Sequence, residues 1–259
     1  MSFLGYFING ISLGSVYAII ALGYTMVYGI AKMLNFAHGD VNVAAAFLIY
    51  TAMSSLGLSP ILSVILAMVL CTILGMTIEK IAYRPLRNAG SPLAVLITAI
   101  GVSYILNGLL NAINNEQMVF PKFFSSDVSF IIAIVVTTVL LVLLTFFVKK
   151  TKLGIAMRAV AENEEAAKLM GINNNFIISM TFAIGSAMAA IGVVIYLLNP
   201  YCSSFTFELG SSTIGLYPFV AAVIGGIGSL PGAVLGGVLI GVLKEFAADM
   251  EEVCPDAWF

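Results

Sequence analysis

The chain has 259 residues, of which 61% are apolar and only 9% are charged, and its formal net charge is −2. Soluble domains are about 45–50% apolar even when glycine is counted, so this composition excludes an ordinary soluble protein. A nearly neutral chain without a basic stripe also excludes a nucleic-acid-binding surface. The three cysteines are too dispersed for a disulfide framework or a metal site: Cys71, Cys202 and Cys254.

Long uncharged stretches separate the few charged residues. About 20 apolar residues in a helix cross the roughly 30 Å of hydrocarbon in a bilayer. The stretch 41–78 is nearly twice that length and is interrupted between Ser54 and Pro60, so it divides in two. We predict an all-α polytopic membrane protein with about seven apolar segments, of which 41–57 is short enough to be re-entrant. The segments are 1–31, 41–57, 60–78, 92–113, 129–148, 176–198 and 217–243.

The basic residues predict an orientation, because Lys and Arg accumulate in cytoplasmic loops. If the N-terminus is outside and all seven segments cross, Lys122 alone lies outside. We therefore expect a multi-pass protein of the bacterial cytoplasmic (inner) membrane with its N-terminus outside. The basic residues expected inside are Lys32, Lys80, Arg84, Arg87, Lys149, Lys150, Lys152, Arg158, Lys168 and Lys244.

The longest polar stretch is the loop at 149–175. Good helix formers predict one short amphipathic helix from Ile155 to Met170, with Gly171 as its C-cap. Its apolar face would contain Ala159, Ala166, Leu169 and Met170. One interpretation is a solvated or interfacial connecting helix. The other is a docking element that presents small residues and a glycine turn to a cytoplasmic partner.

The segment from Asn35 to Asp40 contains the only histidine of the chain, His38. An ionised carboxylate at membrane depth costs at least about 2.5–3.5 kcal/mol, so such a residue commonly has a partner or marks a pathway. We favour a position in the inner headgroup zone for His38 and Asp40, where Asp40 stabilises the N-terminus of the next helix. The alternative is that Asn35, His38 and Asp40 shape a gate or pathway.

Glycines dominate the last apolar segment. They include two small-xxx-small pairs, which allow helices to pack closely in a bilayer: Gly232/Gly236 and Gly237/Gly241. Upstream, breakers are too dense for a straight helix, so we predict a broken or kinked segment that either lies on the pathway or acts as a cytoplasmic-side hinge. The candidate residues are Gly225, Gly226, Gly228 and Pro231.

Three ordered stretches carry a resemblance to a known family. Glu165-Ala166-Ala167 followed by Gly171 resembles the EAA loop of ABC-importer permeases, which seats in a groove of the ATP-hydrolysing subunit. The start, Ser12–Gly29 with Asn35–Asp40, and the late segment Ala221–Ala233 resemble the permeases of high-affinity branched-chain amino-acid uptake. The matches extend over nearly the whole chain.

The resemblance implies a permease that forms the translocation path for branched-chain or related amino acids. Its partners would be a second permease, an extracytoplasmic amino-acid-binding protein, membrane lipid, and two ATP-binding cassette subunits that bind ATP and Mg²⁺. This chain would itself hold no cofactor or metal. The implied ATPase-coupling residues are Glu162, Glu165, Ala166, Ala167 and Gly171.

The resemblance also implies an organisation. The transmembrane permease domain would cover 1–245, with the coupling loop at about 149–175, followed by a short polar tail at 246–259. Permeases of this branch usually continue with another apolar span, which the sequence after Lys244 does not show. We therefore expect the family's final span to be missing.

Other functional classes have weaker support. Gly10-Ile11-Ser12-Leu13-Gly14 fits the G-x-S-x-G pattern of hydrolases, but it lies in an apolar run without a strand–turn–helix setting. No phosphate-binding Walker motif occurs, so we expect no catalytic residue and no ATPase activity in this chain. The alternatives that stay open are an ATPase-independent secondary transporter or channel, and a shortened, non-transporting assembly partner.

Overall fold

The computed structural model describes residues 3–87, 92–113, 118–120, 126–198, 204–205 and 214–253. A π-helical turn covers Glu79–Tyr83, and two-residue strands β1 (Met118–Val119) and β2 (Ser204–Phe205) pair antiparallel. The α-helices are α1 (Phe3–Ala31), α2 (Ala37–Ser54), α3 (Pro60–Ile78), α4 (Arg84–Arg87), α5 (Pro92–Ile113), α6 (Ser126–Lys150), α7 (Lys152–Glu162), α8 (Glu164–Leu169), α9 (Asn174–Leu198), α10 (Tyr217–Ile224) and α11 (Leu230–Val253).

The architecture is that of an all-α polytopic membrane protein, which confirms the predicted fold class. Within the described residues, six helices are long and apolar enough to cross a membrane: Gly5–Ala31, Pro60–Arg87, Leu93–Ile113, Val128–Lys150, Asn174–Leu198 and Leu230–Ala248. α1 is central, because it packs against α6, α9, α10 and α11. Helices at the periphery instead expose apolar side chains, such as Ile61 and Ile97, as expected for contact with lipid.

α2 is enclosed by other helices. It has 18 residues and begins at Ala37, four residues before the predicted start of this segment. Residues 37–46 are all buried, and the helix packs against α3, α5 and α9. The polar residues at its start are therefore covered by protein and do not face lipid, which explains how a helix of modest hydropathy lies within the bundle.

α1 and α11 run antiparallel. A Cβ added at Gly29 would lie 3.2 Å from the Cα of Gly228, and a Cβ at Gly10 would lie 2.7 Å from the Cα of Val242. We call the end of the bundle where α1 stops the basic end, and the opposite end the N-terminal end. Nine of the ten Lys and Arg residues that the structure describes are at the basic end: Lys32, Lys80, Arg84, Arg87, Lys149, Lys150, Lys152, Arg158 and Lys168.

The last apolar segment forms a helical hairpin. The prediction of a single broken crossing over 217–243 is wrong, because α10 and α11 lie side by side in opposite directions with a turn between Gly225 and Ser229. α10 has eight residues, about 12 Å of helix, so it does not span a bilayer alone. The dense glycines that predicted a break allow the chain to reverse.

The hairpin changes the position of Lys244. α11 runs away from the basic end, and the Lys244 Nζ donates a 2.9 Å hydrogen bond to the hydroxyl of Tyr17. The same ammonium lies 4.7 Å from the ring centroid of Tyr217. The expectation that Lys244 lies with the other basic residues is therefore wrong, since it depended on a seventh single crossing. Lys122, the residue expected on the opposite side, is outside the described residues.

The glycines of α11 pack against two different helices. Gly237 lies against α1, where its Cβ would be 2.6 Å from the Cα of Ala18, and Gly241 packs against Gly14 in the same way. Gly232 and Gly236 instead face α10. The close packing predicted from the small-xxx-small pairs is confirmed, and each pair serves a separate interface.

Candidate functional site

The loop at 149–175, for which coupling to an ATPase was predicted and which we call the coupling segment, contains two helices. The prediction of one helix from Ile155 to Met170 is therefore wrong. Asn163 has an extended backbone (φ −153°, ψ 109°), and its Oδ1 accepts a 3.0 Å hydrogen bond from the N–H of Ala166. At the start of α7, the Thr151 hydroxyl accepts one of 3.0 Å from the N–H of Gly154. Asn163 therefore ends α7 and caps α8, as asparagine commonly does at helix N-termini.

Gly171 ends α8 in the way that the sequence predicts. Its φ of +83° is in the left-handed region, and its N–H donates to the carbonyl of Lys168 at 3.1 Å. The N–H of Ile172 donates to the carbonyl of Ala167, also at 3.1 Å. This pair of bonds is a Schellman motif, in which glycine is favoured because it has no Cβ.

One face of the coupling segment anchors it to the bundle. Met157 and Val160 of α7 and Ala167 of α8 are buried. The face that the sequence predicted to be apolar is different, because it contains exposed residues such as Ala166. Of the five coupling residues predicted, Ala167 is an anchor, whereas Glu162, Glu165, Ala166 and Gly171 are exposed.

A cluster at the end of the segment faces outward. Leu169 and Met170 are 89% and 82% exposed, although both are large and apolar. They adjoin Glu165, Ala166 and Gly171, and we call these five residues the docking surface. Two exposed large apolar side chains beside a small alanine are typical of a surface that another protein covers.

A cavity of about 520 Å³ at the basic end connects the coupling segment to the α10–α11 turn. Glu162 of α7 lines it together with Gly228 and Pro231 of the turn region. Gly226 and Gly228 have φ values of +90° and +99°, and Gly225 ends α10. The structure thus brings together Glu162 and two of the predicted hinge residues, which are far apart in sequence.

A second cavity, of about 530 Å³, lies between α1, α2, α5 and the start of α10, and we call it the Asp40 cavity. Asp40 is 2% exposed and lies in the first turn of α2, where its Oδ2 accepts a hydrogen bond from the Ser103 hydroxyl. The lining residues are Tyr24, Phe36, Gly39, Asp40, Ile100, Ser103, Tyr104, Asn107, Gly108, Gly215, Leu216 and Phe219.

Asn35 and His38 are buried close to the cavity but are not among its lining residues. The Oδ1 of Asn35 accepts a 2.9 Å hydrogen bond from the hydroxyl of Tyr83. His38 is 1% exposed, and its ring lies edge-on to Tyr24 with centroids 4.4 Å apart. Both His38 and Asp40 are enclosed by protein, whereas their depth relative to the headgroups stays a prediction.

A buried ionic cluster is absent from the sequence predictions. Glu79 is fully buried, and its carboxylate pairs with Arg84 at 3.2 Å and Arg87 at 2.7 Å. It also accepts a 2.5 Å hydrogen bond from the Ser179 hydroxyl of α9. The signal was a single Glu at the end of an apolar run, followed five and eight residues later by arginines. This cluster fixes the α3–α4 connection to α9 at the basic end.

A polar stripe on α5 was also missed. Ser103, Asn107 and Asn111 recur every four residues and therefore lie on one helix face. The Asn111 amide donates a 2.5 Å hydrogen bond to the Oδ1 of Asn107. The spacing was readable from the sequence as a polar face on an apolar helix. In the described part of the chain, no group of three or more His, Cys, Asp or Glu residues is arranged to hold a metal ion.

A family profile described as "Branched-chain amino acid transport system / permease component" matches residues 6–258. The chain belongs to this permease family. The branched-chain amino acid transport permease BraD of Pseudomonas aeruginosa is 40% identical over 96% of this chain and 87% of that protein. LivH of Escherichia coli, a permease named for the same transport, is 36% identical over 95% of this chain and 86% of its own length.

The likeness extends to archaea. A probable branched-chain amino acid transport permease of Methanocaldococcus jannaschii, also named LivH, is 29% identical over 88% of this chain and 75% of that protein. The predicted resemblance to branched-chain amino-acid permeases is confirmed, since the family profile covers nearly the whole chain. The protein is a multi-pass membrane transport component.

Proposed function

We propose that this chain is the permease subunit of an ABC importer and forms the path for branched-chain or related amino acids. Its partners are two ATP-binding cassette subunits that bind ATP and Mg²⁺, a second permease, and an extracytoplasmic amino-acid-binding protein. Family membership supports the transport role and the substrate class. The docking surface supports the use of ATP hydrolysed on a separate subunit.

The observation that carries the proposal is the exposure of Leu169 and Met170 beside Gly171. In water, two exposed apolar side chains on one short helix favour association, because burial contributes roughly 25 cal/mol per Å². Ala166 on the same surface leaves space for a close approach. An ATP-binding cassette subunit that receives α8 in a groove would bury this surface.

The structure offers a route from this surface to the translocation path. α7 and α8 are anchored as one segment, and Glu162 lines the cavity that also contacts Gly228. Gly228 lies in the turn that leads into α11, while α10, before the turn, contributes Phe219 to the Asp40 cavity. A displacement of α8 by ATP-driven closure would thus move α10 and alter the cavity wall.

The distribution of basic residues supports an orientation for this proposal. Because Lys and Arg concentrate at the basic end, the proposal puts this end in the cytoplasm and the N-terminus outside. The docking surface then faces the compartment that contains ATP. The binding protein would deliver the amino acid to the N-terminal end of the bundle.

The first test is co-purification of tagged chain from its native membrane in mild detergent. The wild-type chain should recover an ATP-binding cassette subunit, and Leu169→Asp should lose most of it, because the new carboxylate must be buried without a partner. Leu56→Asp is the matched control, since Leu56 is also exposed, at 64%, but lies after α2 at the N-terminal end. Deleting the whole segment is less informative, because Met157 and Val160 are buried.

Uptake of labelled leucine by the reconstituted complex tests the substrate. A well-folded chain that recovers no ATP-binding cassette subunit, yet transports leucine, would support an ATPase-independent transporter. A chain that recovers the subunit but supports uptake of no amino acid would support a non-transporting assembly partner. Either result would overturn the proposal.

A further inference from the structure

We propose that the Asp40 cavity is the site that binds the amino acid during transport, with Asp40 receiving its α-ammonium group. This inference rests on the proposed function and assigns the recognition chemistry to individual residues. It places the charged end of the substrate at Asp40 and Ser103 and its branched side chain against the aromatic and aliphatic wall opposite.

Asp40 contributes a carboxylate to the lining of this cavity. A buried carboxylate inside a membrane bundle is costly and is found where a partner or a pathway requires it. Ser103 donates a hydrogen bond to one of its oxygens, which fixes the direction of the carboxylate. A carboxylate has about four acceptor positions, so it can receive an ammonium ion while it keeps contacts within the protein.

The polar stripe of α5 supplies a hydrogen-bond donor, whereas Asp40 is an acceptor. Asn107 lies one helical turn from Ser103, and its Oδ1 accepts a hydrogen bond from the Asn111 amide. Asn107 also lines the cavity, and its amide nitrogen is a hydrogen-bond donor. The cavity therefore contains an acceptor for an ammonium on α2 and a donor for a carboxylate on α5, which fits the two ends of a zwitterion.

The remaining wall is apolar. Phe36, Ile100, Leu216 and Phe219 line it, with Phe36 and Phe219 in ring contact at 5.1 Å between centroids. A volume of about 530 Å³ lies within the range of small-molecule sites, which are about 300–1,000 Å³. A branched aliphatic side chain is buried favourably against such residues, whereas a charged side chain would lack a partner there.

The floor of the cavity is made by two glycines. Gly39 of α2 and Gly215 before α10 approach so closely that a Cβ at Gly39 would lie 2.8 Å from the Cα of Gly215. The Tyr24 hydroxyl donates a 3.2 Å hydrogen bond to the Gly215 carbonyl and holds the two segments together. The same segment leads into α10, so the proposed route from the docking surface ends at this proposed binding site.

The test uses the complete importer in proteoliposomes, with leucine as the substrate and with Asp40→Asn as the main variant. Asn is nearly isosteric and still accepts the hydrogen bond from Ser103, so a purely structural role would survive the change. We expect leucine uptake at saturating binding protein to fall about tenfold or more, as for the loss of a charged hydrogen bond. ATP hydrolysis stimulated by the binding protein should stay within about twofold of wild type.

Conservative and matched variants separate charge from folding. Asp40→Glu should recover part of the uptake, because it restores the carboxylate. Ser103→Ala should lower uptake, whereas Ser63→Ala should not. Ser63 is a matched control because it is also buried in a helix, where its hydroxyl donates to the Ser59 carbonyl.

A labelling experiment detects occupancy without changing Asp40. Gly108 lines the cavity, and a Cβ at Gly108 would meet no atom within 4 Å, so Gly108→Cys fits without strain. In a chain whose three natural cysteines are replaced, leucine supplied with the binding protein and ATP should slow the reaction of this thiol with a methanethiosulfonate. Gly101→Cys, on the same helix and equally unobstructed, should be unaffected.

The outcomes distinguish this inference from the proposed function. If the wild-type importer transports leucine but Asp40→Asn transports it equally well, the assignment of Asp40 is overturned. If leucine leaves the rate of the Gly108→Cys reaction unchanged during transport, the cavity is not the binding site, whatever the result for the Asp40 variants. If the assembled wild-type complex transports no amino acid, the proposed function itself fails.

Discussion

Tyr83 and Asn35 form a 2.9 Å hydrogen bond between the π-helical turn after α3 and the segment that connects α1 to α2. Both residues are buried. The bond therefore fixes the entry of α2, which positions Asp40 five residues after Asn35. It links two stretches that are 48 residues apart in the chain.

Tyr83→Phe should lower the free energy of unfolding by about 1–3 kcal/mol, because the Oδ1 of Asn35 loses its donor while it stays buried. Unfolding of the purified chain in detergent measures this loss. Tyr104→Phe is the control, since Tyr104 is 77% exposed and its hydroxyl can bind water. Equal stability of the two variants would show that the Tyr83 bond contributes nothing.

Gly171→Arg should reduce leucine uptake and recovery of the ATP-binding cassette subunit, with normal amounts of chain in the membrane. Left-handed backbone costs a non-glycine residue about 1–2 kcal/mol, so the change also strains the end of α8. Gly57→Arg carries the same kind of strain, since Gly57 has φ +63°, but it lies at the N-terminal end. Immunoblots, uptake and co-purification compare the two. Equal recovery of the subunit by both variants would remove Gly171 from the docking surface.

Gly14→Val should prevent the close packing of α1 on α11. A Cβ at this position would lie 2.6 Å from the Cα of Val238, so the backbones must separate, at a cost of at least about 1–3 kcal/mol. The yield of monodisperse protein in detergent measures the effect. Gly101→Val should behave as wild type, because its Cβ meets no atom within 4 Å. Full yield of Gly14→Val would mean that the two helices are further apart than described.

The orientation predicts opposite labelling of two single-cysteine variants. Lys168→Cys, in α8, should react with a membrane-impermeant maleimide in inside-out vesicles, and Leu56→Cys should react in intact cells. Both positions are exposed and lie at opposite ends of the bundle. The reversed pattern would place the docking surface outside the cell and contradict the proposed coupling to ATP.

The local features of this protein were readable from the sequence. The apolar stretches predicted the long helices, because a span depends on about 20 consecutive residues and on little else. The C-cap at Gly171 was predicted because a glycine after a helical run favours one short-range pattern of hydrogen bonds. The break at Asn163 was missed, although its capping side chain acts over only three residues.

Features that depend on distant contacts were not readable in this way. Dense glycines around Gly228 predicted a break, but only the packing of α10 against α11 decides that the chain reverses there. Because the chain reverses, Lys244 lies away from the basic end. The buried cluster around Glu79 was not predicted, because the hydrogen bond between Glu79 and Ser179 joins residues 100 positions apart.

The class of protein, its family, the long apolar helices and Gly171 as the residue that ends α8 were all predicted from the amino-acid sequence alone. These follow from composition, short-range periodicity and ordered motifs, which do not depend on how the helices pack. Which polar residues share a cavity depends instead on how the helices pack. Asp40 faces Ser103 because α2 and α5 pack together, and no spacing along the chain encodes that contact. Enclosure by neighbouring helices, not position in the sequence, distinguishes a buried carboxylate from an exposed one.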